Sequence, residues 1–283
     1  NDLSVFECEP GIHFREHLAR VRSCAFGATL QTEIEKVEAR SWTEKPTLRC
    51  DLEDATVLGG EIFAKGHRYL LSSRSPYRHC FELPKDMERV SVLNTMQGLN
   101  YFGHWLRDDC PVYELARHLG PVLSLERPAW PNCVPYEALF DQDWRESAAF
   151  RAGRLTLFRE LSFNRDKKVR IELLRRRLRK EREAIGSGSV YIRRGATAKP
   201  RYVANEDELV RDLEAAGVRI VDPEDDFAKL FDACLDADLV ISVEGSQLTH
   251  AMYLLKLGGD LLVLQPPDRF YNPHGEWTRM LGM

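Results

Sequence analysis

The 283-residue sequence is first defined by what it lacks. No apolar run approaches the roughly 18–20 residues that a membrane-crossing helix needs, and the longest such segments, Leu239–Val243 and Leu261–Leu264, have the length of buried strands. There is no Cys-x-x-C pair. The seven cysteines, Cys8, Cys24, Cys50, Cys80, Cys110, Cys133 and Cys234, are odd in number and scattered. That argues against a zinc site or disulfide framework and for reduced thiols in a reducing compartment. Neither sign of charge dominates: 40 Lys+Arg stand against 44 Asp+Glu, a formal net charge of −4, so the surface is not that of a uniformly basic nucleic-acid binder. A G-x-x-x-x-G-K-[ST] run is missing, which excludes a P-loop kinase. Gly186-x-Gly188 lacks a third glycine and precedes a strand instead of following one, which argues against a dinucleotide dehydrogenase. Internal repeats and low-complexity tracts are also missing. Beginning at Asn1 rather than Met, the chain is expected to have been trimmed upstream, and its first residues show no basic-then-apolar leader.

What is present is the composition of a globular protein, 43% hydrophobic and 30% charged, long enough for two domains. The first fifty residues carry little pattern. Val57–Leu58, Ile62–Ala64 and Tyr69–Ser72, separated by turn glycines, read as short hairpin strands. Val90–Leu93 reads as a strand leading into the polar loop Asn94–Asn100. Residues 100 to 118 then read as a helix in which Pro111 must start a new turn. Val122–Leu125 and Arg154–Phe158 are further short strands. Residues 165–182 form a basic helix with ten Lys/Arg, a local net charge of +7, and an apolar stripe of Val169, Ile171, Leu174 and Leu178. Such a helix fits a solvated face, an anionic membrane surface or an acidic acceptor.

Gly186-Ser187-Gly188-Ser189 is the best candidate domain linker. Beyond it the pattern is regular. Strands Val190–Arg193, Val218–Val221, Leu239–Val243 and Leu261–Gln265 alternate with helices Asn205–Ala216, Phe227–Ala237 and Ser246–Leu257. Asn205 and Glu208 suit a capping box, and Gly217 and Gly258 end helices. Short apolar strands alternating with helices indicate parallel βαβ units covered on both faces, so residues 187–265 read as a Rossmann-like half.

In such a sheet, ligands bind at the carboxyl ends of the strands. Two ends are chemically rich here. Arg193 and Arg194 follow one strand, with Gly195, Lys199 and Arg201 close behind, and guanidinium forks suit phosphate. Ser242-Val243-Glu244-Gly245-Ser246-Gln247 passes from strand to helix, where the positive helix end suits an anion and Glu244 could accept from a hydroxyl. Asp141-Gln142-Asp143 and Asp236-Ala237-Asp238 have D-x-D form, but two carboxylates alone do not make a metal site. In the N-terminal half, His104 and Asp108 lie four residues apart on one helix face, a spacing that suits a general-base pair.

Asn100-Tyr101-Phe102-Gly103-His104-Trp105-Leu106-Arg107-Asp108, then Val190-Tyr191-Ile192-Arg193-Arg194, Asn205-Glu206 and Val240–Ser246, taken in order, resemble glycosyltransferase family 61 over residues 90 to 268. The resemblance implies an α/β protein of GT-B-like architecture: two Rossmann-like domains facing a cleft, the C-terminal one a doubly wound parallel sheet. Its expected divisions are 1–185 on the acceptor side, 186–269 for the nucleotide-sugar, and 270–283 as a segment crossing back to the first domain. The implied activity is inverting and metal-independent. A sugar would pass from a nucleotide-sugar, expected to be UDP-linked, to a glycan, polysaccharide or lipid-linked acceptor in surface polysaccharide synthesis. No metal, other cofactor or nucleic acid is expected. The location would be the cytoplasm, with peripheral inner-membrane contact through the 165–182 helix. Asp108 is the first expectation for the base, with His104 and Glu244 as further catalytic residues. Arg193, Arg194, Lys199, Gly245, Ser246 and Gln247 would hold the donor, and Asn100, Tyr101, Trp105 and Asp109 would line the acceptor side. One departure stands out. Many members carry His-Gly-Ala at the strand-to-helix turn, where this chain has Glu244-Gly245-Ser246. A carboxylate there repels a diphosphate unless it points away, which leaves a competing expectation of a non-catalytic GT-B-like scaffold that holds a nucleotide or glycan.

Overall fold

A computed structural model describes residues 5–71, 84–160, 162–180, 188–194, 201–222 and 225–283. The chain divides into two compact units, Lys45–Lys180 and the combination of Asn1–Glu44 with Glu181–Met283. This differs from an N-terminal domain of residues 1–185. The physical reason is that the two ends of the chain pair with each other. Ala25 donates its backbone N–H to Phe270 O at 3.1 Å, and Phe270 donates to Ser23 O at 3.0 Å. Asn272 donates to the Glu33 carboxylate at 2.8 Å, and Arg279 donates to Val37 O at 2.5 Å. Residues 270–283, expected to cross back to a first domain, therefore pack on residues 23–37 inside the unit that holds the C-terminal sheet. Gly186, Ser187, Gly195 and Lys199 lie outside the described residues.

That unit contains the expected parallel sheet. Its strands lie in the order Arg219–Val221, Ser189–Ile192, Leu239–Val243 and Asp260–Leu264, every neighbouring pair parallel. Val190, Tyr191, Ile192, Val240 and Ile241 are all buried, as continuous apolar strands must be when both faces are covered. The connecting helices are Glu206–Ala215, Phe227–Cys234 and Thr249–Leu254. Asn205 stands before the first of them without capping its backbone; its amide instead donates to the Glu208 carboxylate at 3.0 Å. The expected helix Ser246–Leu257 is shorter, a 3-10 turn over Ser246–Leu248 followed by Thr249–Leu254.

The other unit is built on a seven-stranded mixed sheet, in the order His67–Leu70, Glu61–Ala64, Thr47–Leu58, Ala149–Glu160, Lys85–Val92, Val122–Ser124 and Arg145–Glu146. Thr47–Leu58 and Ala149–Glu160 form a long antiparallel ladder, and the strands beyond it pair in parallel. The sheet is therefore not the all-parallel one of a plain Rossmann-like domain. Its core joins Val57, Ile62, Val90, Val92, Leu123, Phe150 and Leu155. Against this sheet's end the chain from Phe102 to Ala116 is helical, with a π-helical turn over Trp105–Asp109 set between α-helical segments. The register changes just before Pro111, at the start of the second α-helical segment, where its missing N–H does least harm. A π turn inserts one residue and re-aims the side chains around it, an arrangement frequent at functional sites. Among the described residues, no helix is long and apolar enough to cross a membrane.

Candidate functional site

The π turn produces a compact charge network in the Lys45–Lys180 unit. Asp108 takes hydrogen bonds from Arg107 Nη2 at 2.8 Å and Arg107 Nε at 3.0 Å. Lys167 Nζ donates to Asp108 Oδ1 at 2.9 Å. His104 Nδ1 lies 2.9 Å from Asp108 Oδ2 and 2.8 Å from Arg107 Nη2. Burial pushes the Asp108 carboxyl up, but Arg107 and Lys167, helped by the His104 hydrogen bond, override it and hold the group well below the usual carboxylate range. Such a carboxylate is a weak base. A proton on His104 Nδ1 would serve Asp108 and leave Nε2 as an acceptor, whereas an unprotonated Nδ1 would accept from Arg107 Nη2.

The four acceptor-side expectations divide into two accessible and two buried residues. Tyr101 is exposed, its ring 6.0 Å from that of His104. Asn100 is half-buried and donates to Met96 O at 2.6 Å, tying its own loop. Trp105 is fully buried, packed between Phe102 and Trp144 with Arg127 over its ring at 4.9 Å. Asp109 is fully buried as well and accepts from Thr95 N at 3.1 Å. Burial, with Asp108 adding to it, pushes this carboxyl well above its ordinary value. Neither Trp105 nor Asp109 can touch an acceptor. A Cβ on Gly98 would run into the Asp109 carboxyl, so that loop position requires glycine.

The other candidate cluster lies in the unit with the parallel sheet. Arg194 Nη1 donates to Glu244 O and Gln247 Oε1, each at 3.0 Å. Arg201 Nη1 reaches Glu244 O and Glu244 Oε2, both at 2.6 Å. Arg269 Nε stands 3.7 Å from Glu244 Oε2, too far for a hydrogen bond. Three guanidinium groups thus gather at Glu244, two at its carboxylate and one at its backbone carbonyl. Among the described residues, the buried Nε atoms of Arg201 and Arg269 have no hydrogen-bond acceptor. Burial and the repulsion of Arg201 push Arg194 down to about 10, still a cation at neutral pH. Burial raises the Glu244 carboxyl, and the guanidinium groups of Arg201, Arg269 and Arg194 oppose that rise. Glu244 is 4% exposed, a counter-ion inside the cluster and not a catalytic base or a hydroxyl acceptor at its surface.

Gln247 holds this geometry. Its amide donates to Val243 O at 2.6 Å and Ser242 Oγ at 3.1 Å while its oxygen receives Arg194. A Cβ on Gly245 would collide with the Arg194 guanidinium, so glycine here admits a side chain of the protein itself. Ser246 begins the 3-10 turn beside it; the long helix expected to supply a strong dipole does not form.

Arg193 departs from expectation. It pairs with Asp207 at 3.3 Å and with Glu206 and Asp222 at 3.5 Å each. Its partial burial is outweighed by Glu206, Asp222 and Asp207, which hold it above its usual value. Arg193 and Arg194 follow the strand Ser189–Ile192 and engage different partners, Arg193 the carboxylates and Arg194 Glu244 O and Gln247. Arg269 was not singled out in the sequence, because only the pairing of the chain ends brings it to Glu244.

Residues 102–258 match the family model Glycosyltransferase 61. The chain belongs to glycosyltransferase family 61. It is therefore a glycosyltransferase enzyme, with a sugar donor and a glycan acceptor as its general substrates. No curated protein matches the chain. The family match takes in His104, Asp108, Lys167, Arg194, Arg201 and Glu244, but stops short of Arg269.

Other features of this glycosyltransferase resolve as structure. The expected basic helix runs over Arg165–Arg179. Ile171, Leu174 and Leu178 of its apolar stripe are buried within its own unit, Val169 is exposed, and Lys167, Arg170 and Arg175 point inward. With its apolar face covered it has little to offer a membrane surface. The D-x-D carboxylates are paired: Asp141 with Arg117 at 3.5 Å, Asp143 with Arg145 at 2.7 Å, and Asp238 with Lys256. Among the described residues, no group of three or more His, Cys, Asp or Glu is placed to hold a metal ion. The six described cysteines are free.

Proposed function

We propose that this glycosyltransferase moves a sugar, with inversion and without a metal, from a UDP-linked donor to a glycan hydroxyl. The proposed division of labour is GT-B-like, with donor binding by the parallel-sheet unit and proton removal by the other. The observation that carries this is the arginine cluster. Arg201 and Arg269 face the Glu244 carboxylate while Arg194 donates to the Glu244 backbone carbonyl, and among the described residues the buried Nε donors of Arg201 and Arg269 have no acceptor. A diphosphate brings the missing acceptors and the missing charge, and fixed cations stabilise it as it leaves. The carboxylate that looked repulsive in the sequence is already neutralised by arginines around it.

In the proposed step, His104 Nε2 takes the proton of the acceptor hydroxyl. The oxygen forms its bond to the anomeric carbon as the bond from that carbon to the diphosphate oxygen breaks. The diphosphate leaves with the electron pair, and Asp108 stabilises the imidazolium. A panel of nucleotide-sugars with glycan acceptors tests this, the product's anomeric configuration being read by NMR. Inverted product that forms equally in EDTA supports the proposal; retained configuration or loss of activity in EDTA overturns it.

A further inference from the structure

Phe26 occupies an unusual place. It sits in the 3-10 turn Ala25–Gly27 with φ 54° and ψ 31°, the left-handed region that bulky side chains rarely enter. Its ring is turned to solvent, the residue being 73% exposed. Neither feature comes from a slack chain. Ala28 donates back to Ala25 O at 3.1 Å, Ala25 donates to Phe270 O, and Cys24 bridges Phe270 in parallel. The surrounding structure therefore fixes a strained backbone whose visible result is an aromatic ring in water, and strain of this kind clusters at ligand sites.

The ring's neighbours say which ligand. The Arg269 guanidinium lies over it, 4.9 Å from the ring centroid, and Tyr271 meets it nearly edge-on, with centroids 5.1 Å apart and planes at 70°. Arg269 is also a member of the guanidinium cluster around Glu244. One arginine thus links an anion site to an open π-face. A nucleoside diphosphate asks for both: cations for the diphosphate and a flat apolar surface for the base. Phe26, Arg269 and Tyr271 all lie outside the matched residues 102–258, so this arrangement belongs to the segments that flank the family match.

We propose that Phe26 is the stacking platform for the nucleobase of the donor. This rests on the reading of Arg194, Arg201 and Arg269 as the diphosphate site. Calorimetric titration with UDP, ADP and inorganic diphosphate separates the two. Wild type should bind the nucleoside diphosphates more tightly than inorganic diphosphate. Phe26→Ala should weaken UDP and ADP by at least about fivefold, the low end for one lost aromatic–base stack, and leave inorganic diphosphate within about twofold. Phe26→Trp should keep nucleotide affinity. Phe26→Gly accepts the left-handed backbone, so it should bind like Phe26→Ala but melt no lower, which separates loss of the ring from unfolding. Unchanged UDP and ADP affinity in Phe26→Ala, or an equal loss for inorganic diphosphate, overturns the platform. Equal wild-type affinity for inorganic diphosphate and nucleotides overturns it while the arginine site stands. Failure of wild type to bind any of the three overturns both.

Discussion

Lys167 Nζ reaches Asp108 Oδ1 at 2.9 Å, bridging 59 positions of sequence. The same ammonium meets Glu160 Oε2 at 3.2 Å and is 3% exposed, with the Phe163 ring 4.1 Å away. The anion that orients His104 therefore depends on a buried cation from a different helix. Removing one partner of a buried ion pair leaves the other uncompensated. Lys167→Met should destabilise the protein by about 3–5 kcal/mol, measured by urea unfolding, and Lys167→Arg should recover part of it. A loss below about 1 kcal/mol, the range of an exposed pair, would contradict the arrangement.

Neighbouring Asp108 and Asp109 should respond to pH in opposite senses. Asp108 is held below its unfolded value. Its contribution is present above about pH 4 and is lost as pH falls through the lowered folded value. Asp109 is pushed the other way by burial. Its favourable protonated state is fully present below about pH 4, and stability drains as pH rises toward the raised folded value. The deficit of Asp108→Asn should thus shrink on acidification. Asp109→Asn should gain on wild type as pH rises from 4 to 8, a window taken roughly from the unfolded Asp value upward. Melting curves from about pH 2 to 8, spanning the unfolded Asp value of about 4, decide it; parallel pH profiles for the two variants would refute the assignment.

Two glycines should fail in different ways. Gly98→Ala drives a methyl group into the buried Asp109 carboxyl and should cost about 1–3 kcal/mol of stability, as overpacking does. Gly245→Ala displaces the Arg194 guanidinium and should weaken UDP binding with a smaller change in melting temperature. Normal UDP affinity in Gly245→Ala would mean that Arg194 binds no donor.

The C-terminal sheet was legible because each of its strands is an apolar run with both faces covered: Val190-Tyr191-Ile192 and Leu239–Val243 could hardly be anything else. Thr47–Leu58 was legible only at its end. Its first half carries Arg49, Asp51 and Glu53 on exposed positions, and it is a strand because Ala149–Glu160 pairs along its whole length, a fact no local pattern holds. The helix around His104 was legible, and so was the spacing that joins His104 to Asp108. The π turn was not, and neither was the burial of Trp105 and Asp109 within it. In the donor cluster, the composition pointed to arginines near Glu244 but not to the right one of two neighbours. Past the end of the strand, Arg193 turns toward Glu206 and Arg194 toward Gln247.

Catalysis should separate from binding at His104. His104→Ala should lower turnover by about 10²–10⁴-fold, the usual contribution of a positioned base, with UDP affinity unchanged. Asp108→Asn should lower turnover too, since an amide cannot stabilise the imidazolium. Full turnover in His104→Ala would remove the imidazole from the reaction.

The most direct test of the donor site compares Arg194→Ala with Arg193→Ala by calorimetric titration with UDP. Arg194→Ala should weaken binding by more than about tenfold, the loss of a hydrogen bond to a charged group. Arg193→Ala should stay within about twofold, because Arg193 is already paired with Glu206, Asp207 and Asp222 and such part-exposed pairs contribute little. The reverse order, with Arg193→Ala abolishing binding and Arg194→Ala binding normally, would contradict the account.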